Sequence, residues 1–211
     1  MSISLPDLTP PTHIDIITRH TVFQGYFRID EYTMRHGRFD GGWTAPAKRE
    51  VFERGHAAAL LPYDPERDCF VLCQQFRIGA YAAGVDPWQI ECVAGIIEPG
   101  ETPEDVARRE TEEECGCTAL DLIPMQRYLV SPGGASETAT LYLGRVSAAN
   151  AGGIFGLEDE GEHIRVFTAS TAQLRRLLDD GKLCNAVTLV AAQWFFLNQD
   201  RIKAAWGHEV K

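Results

Sequence analysis

Three glutamates in the middle of the chain have a spacing that suits metal chemistry. Glu110, Glu113 and Glu114 are spaced i, i+3, i+4, so on a helix their side chains share one face. Each like-charged pair at this spacing costs about 0.2–0.5 kcal/mol, and the helix dipole disfavours acids in the last turn. A cation should offset that charge. Oxygen ligands on a rigid helix suit hard divalent ions, Mg²⁺ above all, with Mn²⁺ as the alternative.

The residues around these glutamates predict the helix that must carry them. Thr102 is a good N-cap, Pro103 suits the first helical position, and Asp105 stands where an acid favours the first turn. Gly116 can adopt the left-handed backbone conformation that commonly ends a helix. The sequence therefore predicts a helix over residues 103–115, with the three glutamates near its C-terminal end.

Composition limits the partners of such a site. The chain has 211 residues, 45% hydrophobic and 24% charged, which fits one full domain with a small extra element. Its net charge of −10 argues against a nucleic-acid backbone or an anionic membrane as the main partner. A polyanionic small substrate would need bound cations and a few well-placed arginines. No long apolar run and no signal-peptide pattern is present, so we expect a cytoplasmic location.

The six cysteines follow no regular spacing. A zinc site is not expected, because no pair of CxxC motifs is present. The better interpretation is that the cysteines are free, buried thiols and that the protein works in a reducing compartment.

The remaining pattern predicts an α/β protein whose first section is rich in strands. Residues 14–33 carry β-branched and aromatic residues, with a turn at Gln24-Gly25. The later elements are predicted as strands at 56–62, 69–77, 125–130 and 138–146, a glycine-rich loop at 151–163, and helices at 169–181 and 186–206, while the run 88–94 leads directly into Gly95. Mixed strands around a central functional helix, followed by two helices, indicate an α/β sandwich.

Residues 95–117 resemble a known sequence signature, the Nudix box. Its seven fixed positions are filled by Gly95, Glu101, Arg109, Glu110, Glu113, Glu114 and Gly116. Two positions that are usually bulky and aliphatic hold Thr111 and Cys117, which concerns the packing of the helix and not the metal ligands. The resemblance implies a mixed-sheet α/β/α sandwich and an enzyme that hydrolyses a nucleoside diphosphate linked to another group.

Segments outside the box resemble the ADP-ribose pyrophosphatase subfamily of the Nudix hydrolases. They are the run 54–58, the pair Phe76-Arg77, the loop 131–137 with the marker residue Pro132, and the segment 156–162. In that subfamily the N-terminal strands are exchanged between two subunits, and each active site uses residues of both. The resemblance therefore implies a domain-swapped homodimer, with residues 1–50 as a β-rich dimerisation segment and 51–211 as the hydrolase domain.

The same resemblance implies a set of metal ligands. Glu110 and Glu114 are the expected bridging ligands, and Glu113 lies on the rim of the site. The backbone carbonyl of Ala94, just before the box, and the carboxylate of Glu162 are expected to complete the ligand set.

A general base is also implied by the resemblance. Glu160, in a mobile loop, is expected to remove a proton from the attacking water, while Arg109 orients the box carboxylates. Residues 158–162 could instead form only a solvated acidic loop, and the spacing alone does not choose Glu160 among them.

The substrate-binding residues implied by the resemblance are Tyr26, Arg49, Arg77, Pro132, Gly133 and Glu137. Arg77 is assigned to the diphosphate, because an arginine fork matches phosphate oxygens. Arg49 is expected to pack against the adenine together with an aromatic residue near Tyr26, one of the two coming from the partner subunit. Glu137 is a candidate for hydrogen bonds to the hydroxyl groups of the terminal ribose.

We therefore expect Mg²⁺-dependent hydrolysis of ADP-ribose to AMP and ribose 5-phosphate. A relative that acts on another nucleoside diphosphate sugar, such as GDP-mannose, would share the box and the base and differ at Tyr26, Arg49 and the 131–137 loop. A sensor that binds ADP-ribose without turnover would usually lack some box carboxylates, and all are present here. A divalent-ion buffer would need a loop of EF-hand type, which the sequence lacks.

Overall fold

Two units make up the chain in the computed structural model, which describes residues 6–156 and 161–207. The N-terminal unit comprises the chain up to Arg54 together with the loop Ser131–Glu137. The second unit, called here the core unit, comprises Gly55–Val130 and the chain from Thr138 onward. The predicted division at residue 50 into a dimerisation segment and a hydrolase domain stays a prediction.

The N-terminal unit is a three-stranded antiparallel sheet. Its strands are β1 (Ile14–Gln24), β2 (Arg28–His36) and β3 (Ala47–Glu53), in the order β1-β2-β3. The predicted turn at Gln24-Gly25 is confirmed, because it joins β1 to β2. The loop 131–137 adds to β3 through hydrogen bonds from Phe52 N to Gly134 O (2.8 Å) and from Ser136 N to Phe52 O (3.3 Å).

The core unit is built on a mixed sheet. Its elements are β4 (Ala57–Asp64), β5 (Cys69–Phe76), α1 (Ile78–Ala82), β6 (Trp88–Glu91), β7 (Val93–Ile96), α2 (Pro103–Cys115), β8 (Asp121–Leu129), β9 (Thr138–Arg145), β10 (Gly153–Phe155), β11 (Ile164–Ser170), α3 (Thr171–Asp179), α4 (Ala186–Leu197) and α5 (Gln199–Trp206). The strand order is β10-β11-β5-β4-β9-β8, with β6 paired to β5 and β7 paired to β4. The pair β4–β9 is parallel and the other pairs are antiparallel.

Helices cover both faces of this sheet. Along β4, Ala59 and Leu61 belong to the cluster that contains Phe195 of α4, whereas Leu60 between them packs with Ala107 of α2. Since side chains alternate between the faces of a strand, α2 and α4 must lie on opposite sides. The predicted α/β/α sandwich is thus confirmed for the core unit.

Several predicted boundaries were wrong. The single helix expected over 186–206 is two helices, because Asn198 leaves the helical conformation (φ −123°, ψ 19°). Its backbone N–H donates to Phe195 O, and its side-chain Nδ2 donates to Trp194 O at 2.9 Å. The glycine-rich loop 151–163 contains the short strand β10, which pairs with β11. No strand was predicted for the run 88–94, which contains β6 and the start of β7. Neither β11 nor α1 was predicted.

The expectation of buried thiols is met only in part, because Cys69 is half-buried and Cys184 is exposed. All six cysteines lie in the described part of the chain and are free; four of them are buried. None of the described helices combines the length and the apolar character that crossing a bilayer requires.

Candidate active site

The helix that carries the glutamates is α2, which spans Pro103–Cys115 as predicted. Thr102 accepts a hydrogen bond from Asp105 N, and the Asp105 carboxylate accepts from Thr102 N, so the two residues form a reciprocal capping box. At the other end Gly116 adopts φ 63°, the left-handed conformation that glycine tolerates best. Both ends are therefore fixed by local sequence.

The two unusual box residues are part of the core. Thr111 is fully buried, and its hydroxyl donates to Ala107 O at 2.6 Å. Cys117 is buried in an apolar cluster with Val146 and Ile164. Because the threonine hydroxyl is satisfied within the helix, these residues fill the space of aliphatic side chains without leaving an unpaired polar atom.

Of the three glutamates predicted as metal ligands on α2, two point toward β7. Glu114 is only 5% exposed, and its Oε2 accepts a hydrogen bond from Ala94 N at 3.2 Å. Glu110 is half-buried beside Gly95, where an added Cβ would lie 1.9 Å from Glu110 Oε1. Glu113 is exposed. The glycine therefore makes room for the carboxylate of Glu110.

Arg109 links the acidic side chains of this region. Its guanidinium donates to Glu101 Oε1 (3.1 Å), to Glu110 Oε1 (2.9 Å) and to Glu113 Oε2 (3.0 Å). The hydrogen bonds from Arg109 hold the pKa of Glu101 below its ordinary value. This network fixes the orientation of carboxylates on two successive turns of α2.

The buried carboxylates need more positive charge than the protein supplies. Burial raises the pKa of Glu114 to about 8, and the neighbouring Glu110 charge adds to the rise. Burial likewise raises the pKa of Glu110. Glu162 also raises both pKa values, so its carboxylate belongs to the same neighbourhood. A concentration of oxygen donors with raised pKa values is the chemistry that a hard divalent cation fits.

The proposed ligand side chains do not converge on one point in this structure. Within residues 6–156 and 161–207, no three carboxylate, histidine or cysteine side chains are gathered closely enough to ligate one ion as they stand. Glu110 and Glu113 instead share the guanidinium of Arg109. The donor types fit a divalent cation, and binding one would require Glu110 to turn from Arg109.

Arg77 lies in the same electrostatic neighbourhood. It directly follows β5, and it forms an ion pair with Glu91 at the end of β6, with 2.7 Å between Arg77 Nη2 and Glu91 Oε2. The Glu114 and Glu162 charges also act on Arg77 and favour its charged form. The core unit thus brings together four of the predicted residues: Arg77, Glu110, Glu114 and Glu162.

Five other predicted residues belong to the N-terminal unit, and three of them share a cavity of about 500 Å³. Arg49, Pro132 and Gly133 line this cavity together with Tyr32 and Glu50. Glu137 is buried, with its Oε2 3.5 Å from Arg54 Nη1.

Two predicted residues are not placed in a site by the structure. Tyr26 does not line the cavity; its side chain is 88% exposed and its ring is 4.7 Å from the Phe27 ring. Glu160, the predicted base, lies outside the described residues.

Sequence reasoning missed several residues of these sites. Tyr32 pairs with Arg49 across β2 and β3, which only a correct register for the two strands would have indicated. Glu91 and Asn185 surround Arg77, and no sequence spacing joins residues so far apart. For Glu91, the signal available in the sequence was an acidic residue between Ile90 and Cys92 in the run that leads into the box, where a buried acid needs a partner.

Comparison with known proteins agrees with this geometry. Residues 53–186 match the family model of the NUDIX domain, and the chain therefore belongs to the Nudix family. It is an enzyme, a hydrolase, and hydrolases of this kind generally need a divalent metal.

Its similarity to particular enzymes extends over most of the chain. It is 45% identical over 205 residues to the ADP-ribose pyrophosphatase of Escherichia coli (strain K12), covering 95% of this chain and 98% of that one. It is 36% identical over 196 residues to the ADP-ribose pyrophosphatase of Haemophilus influenzae, covering 92% and 90%.

More distant similarities agree with the same family. The GDP-mannose pyrophosphatase of Escherichia coli (strain HS) is 31% identical over 181 residues, covering 84% of this chain and 92% of that enzyme. A crystal structure of an ADP compounds hydrolase superposes with a TM-score of 0.70 and 20% sequence identity, covering 95% of this chain and 100% of that one. The last similarity supports the fold alone.

Proposed function

We propose that this protein hydrolyses the diphosphate of ADP-ribose in a Mg²⁺-dependent reaction, with AMP and ribose 5-phosphate as products. The observation that carries the proposal is the shared neighbourhood of Arg77, Glu110, Glu114 and Glu162, in which cationic and anionic groups suit a metal-bound diphosphate. The choice of ADP-ribose is supported by the higher identity to the ADP-ribose pyrophosphatases (45% and 36%) than to the GDP-mannose pyrophosphatase (31%).

The residues that would hold Mg²⁺ are Ala94, through its carbonyl, and Glu110, Glu113, Glu114 and Glu162, through their carboxylates. The ion would supply positive charge against the diphosphate and lower the pKa of bound water. Their donors are all oxygen, which fits Mg²⁺ better than a softer metal. Arg109 keeps the carboxylates of Glu110 and Glu113 on the same side of α2 until the ion binds.

The protein side chains then act on the substrate and on the water. The guanidinium of Arg77 orients the diphosphate and offsets its negative charge, which otherwise repels an attacking nucleophile. Glu160 accepts the proton of the attacking water, as the resemblance to the subfamily implies. A nearby cation lowers a carboxylate pKa, so the distance of Glu160 from the ion would decide how basic it stays.

The N-terminal unit would bind the nucleoside and ribose groups. Arg49, Pro132 and Gly133 line one cavity, where a planar base could stack on the guanidinium of Arg49. Glu137 would accept hydrogen bonds from the ribose hydroxyls. Tyr26 has an exposed ring, which suits an aromatic contact made to the second subunit of a dimer.

A domain-swapped homodimer is part of the proposal. The strand β1 exposes a series of apolar side chains, namely Ile14, Ile16, Ile17, Val22 and Phe23. Such a series is unfavourable in water and is typical of a strand that another protein surface covers. Light scattering during size exclusion should give the mass of two subunits, and a monomer at micromolar concentration would contradict this part. The cytoplasmic location stays a prediction.

The test of the proposal is hydrolysis of ADP-ribose with and without Mg²⁺, with the products separated by chromatography. GDP-mannose is assayed in parallel, because one relative carries that name. Metal-dependent release of AMP, faster from ADP-ribose, supports the proposal. Turnover of GDP-mannose alone would keep the metal chemistry and reject the substrate, whereas binding of ADP-ribose without any turnover would indicate a sensor.

A further inference from the structure

We propose that Glu91 and Asn185 are positioning residues for Arg77, which they hold in the orientation that engages the diphosphate. The inference depends on the proposed role of Arg77 in substrate binding. It concerns two residues that are not part of the box and that lie on β6 and at the start of α4.

The first contact is a two-pronged ion pair between Arg77 and Glu91. Arg77 Nη2 is 2.7 Å from Glu91 Oε2, and Arg77 Nε is 3.1 Å from the same oxygen and 3.2 Å from Glu91 Oε1. Glu91 is only 2% exposed, so its carboxylate depends on these donors for the solvation that it lost on burial. The pair therefore fixes the plane of the guanidinium.

Among the described residues, this arrangement uses only one edge of the guanidinium. Nε and Nη2 face Glu91, whereas no described residue accepts a hydrogen bond from Nη1. The side chain of Arg77 keeps 42% of its surface exposed. A carboxylate on one edge and an accessible second edge is the arrangement by which an arginine can present two N–H groups to a phosphate.

The second contact fixes Glu91 in turn. Asn185 Nδ2 donates to Glu91 Oε1 at 3.1 Å, and the Oδ1 of the same amide accepts from Val187 N (2.9 Å) and Thr188 N (3.2 Å). Asn185 is therefore the N-cap of α4 and a hydrogen-bond donor to the carboxylate at the same time. The position of the first turn of α4 is coupled to the orientation of Glu91.

The residue that follows β6, Cys92, is held by the same helical turn. Cys92 N donates to Thr188 Oγ1 at 3.0 Å, and both residues are buried. The start of α4 thus contacts two successive residues, Glu91 through its side chain and Cys92 through its backbone. These contacts with α4 restrict the movement of Glu91, and through Glu91 they restrict the movement of the Arg77 guanidinium.

A double-mutant cycle tests this inference. The variants are Arg77→Gln, Glu91→Gln and the double variant, assayed for kcat and KM with ADP-ribose and Mg²⁺. If Glu91 acts through Arg77, Glu91→Gln should lower kcat/KM on the order of 10²-fold in the wild-type background and have almost no further effect when Arg77 is already replaced. A purely structural role would lower kcat/KM by the same factor in both backgrounds, and that result would overturn the inference.

The cycle also separates failure of the inference from failure of the proposed function. If Arg77→Gln alone leaves kcat/KM unchanged, the assignment of Arg77 to the diphosphate is wrong. If Arg77→Gln impairs turnover but Glu91→Gln does not, the assignment stands and the positioning role is wrong.

A second variant covers the case in which Glu91→Gln does not fold. Asn185→Ser keeps a good N-cap but removes the amide that reaches Glu91, so α4 should remain folded. We expect a circular dichroism spectrum and a Tm close to wild type together with about a tenfold loss of kcat/KM. Unchanged kcat/KM in the folded variant would overturn the role of Asn185.

Asp64→Asn is the matched control for both tests. Asp64 is also a buried carboxylate with an arginine partner, Arg67, 3.0 Å away, but it lies at the end of β4 far from the residues that pair with β7. Its replacement should lower Tm and leave kcat/KM unchanged. Loss of kcat/KM in this control to the same extent as in Glu91→Gln would show a general effect of destabilisation and contradict the inference.

Discussion

Replacing Gly95 with alanine would test how closely α2 must approach β7. The new Cβ would lie 1.9 Å from Glu110 Oε1 and 2.6 Å from Glu110 Cγ. Carbon atoms in contact are normally about 3.5 Å apart, so Cγ must retreat by about 1 Å and the carboxylate must turn away from its present position. The substitution therefore acts on a proposed metal ligand without removing it.

Its effects on stability and on turnover should differ. Overpacking costs about 1–3 kcal/mol, and the lower end applies here because Glu110 is half-buried and its side chain can rotate. A displacement of about 1 Å at a reacting centre can lower the rate about 10²-fold, which corresponds to about 2.7 kcal/mol in the barrier. We expect the larger effect on kcat and on the Mg²⁺ concentration that gives half-maximal rate.

The assay is a Mg²⁺ titration of ADP-ribose hydrolysis, combined with thermal unfolding. Gly79→Ala is the matched control, because a Cβ at that position meets no atom within 4 Å. The control should match wild type in both measurements. If Gly95→Ala kept wild-type kcat and the same Mg²⁺ requirement, the contact between Gly95 and Glu110 would have no part in the metal site and the reasoning would be refuted.

Four further outcomes are expected. Glu114→Gln should abolish turnover while the protein stays folded by circular dichroism; measurable Mg²⁺-dependent activity would contradict its role as a ligand. Glu160→Gln should bind ADP-ribose and Mg²⁺ in calorimetry but hydrolyse slowly, and an unimpaired rate would assign the base elsewhere. Arg49→Ala should raise KM for ADP-ribose more than it lowers kcat, because stacking on the base acts in ground state and transition state alike; a fall in kcat alone would argue against a binding role. For Asp64, burial opposes ionisation, but hydrogen-bond donors that include Ala148 N outweigh burial and hold the pKa of the carboxyl below its ordinary value. The ionised carboxylate therefore stabilises the fold above the unfolded pKa of about 3.9, and this stabilisation is lost as pH falls through the folded pKa. Asp64→Asn should accordingly show a shallower decline of Tm below about pH 4 than wild type.

The parts of the fold that depend on local sequence could be predicted. The bounds of α2 follow from Thr102, Asp105 and Gly116, whose capping roles involve neighbours within a few residues. Spacing alone placed Glu110 and Glu114 on one face of this helix. The short strand β10 could not be recognised in the same way, because a three-residue strand that begins at Gly153 carries no periodic pattern and is defined only by pairing with β11.

The parts that depend on distant pairing could not be predicted. Glu91 and Asn185 are 94 residues apart in the chain, and their hydrogen bond follows from the docking of α4 on β6. The break at Asn198 was missed because apolar residues return after it at a helical spacing of four, at Ile202 and Trp206, so hydrophobic periodicity favours one long helix. The cavity around Arg49 required the register of β2 and β3, which composition does not define.

The loop 131–137 has a consequence for the order in which the chain can fold during synthesis. Ser136 Oγ donates to Glu53 Oε2 across 83 residues of sequence. The N-terminal sheet therefore leaves the ribosome first but lacks its last partner until most of the core-unit strands have been translated. Closing so long a segment also costs conformational entropy, and this cost is offset only when the intervening residues fold and make their own contacts. A shortened protein that ends before residue 137 should thus lack a complete N-terminal unit, even though all three strands of its sheet are present.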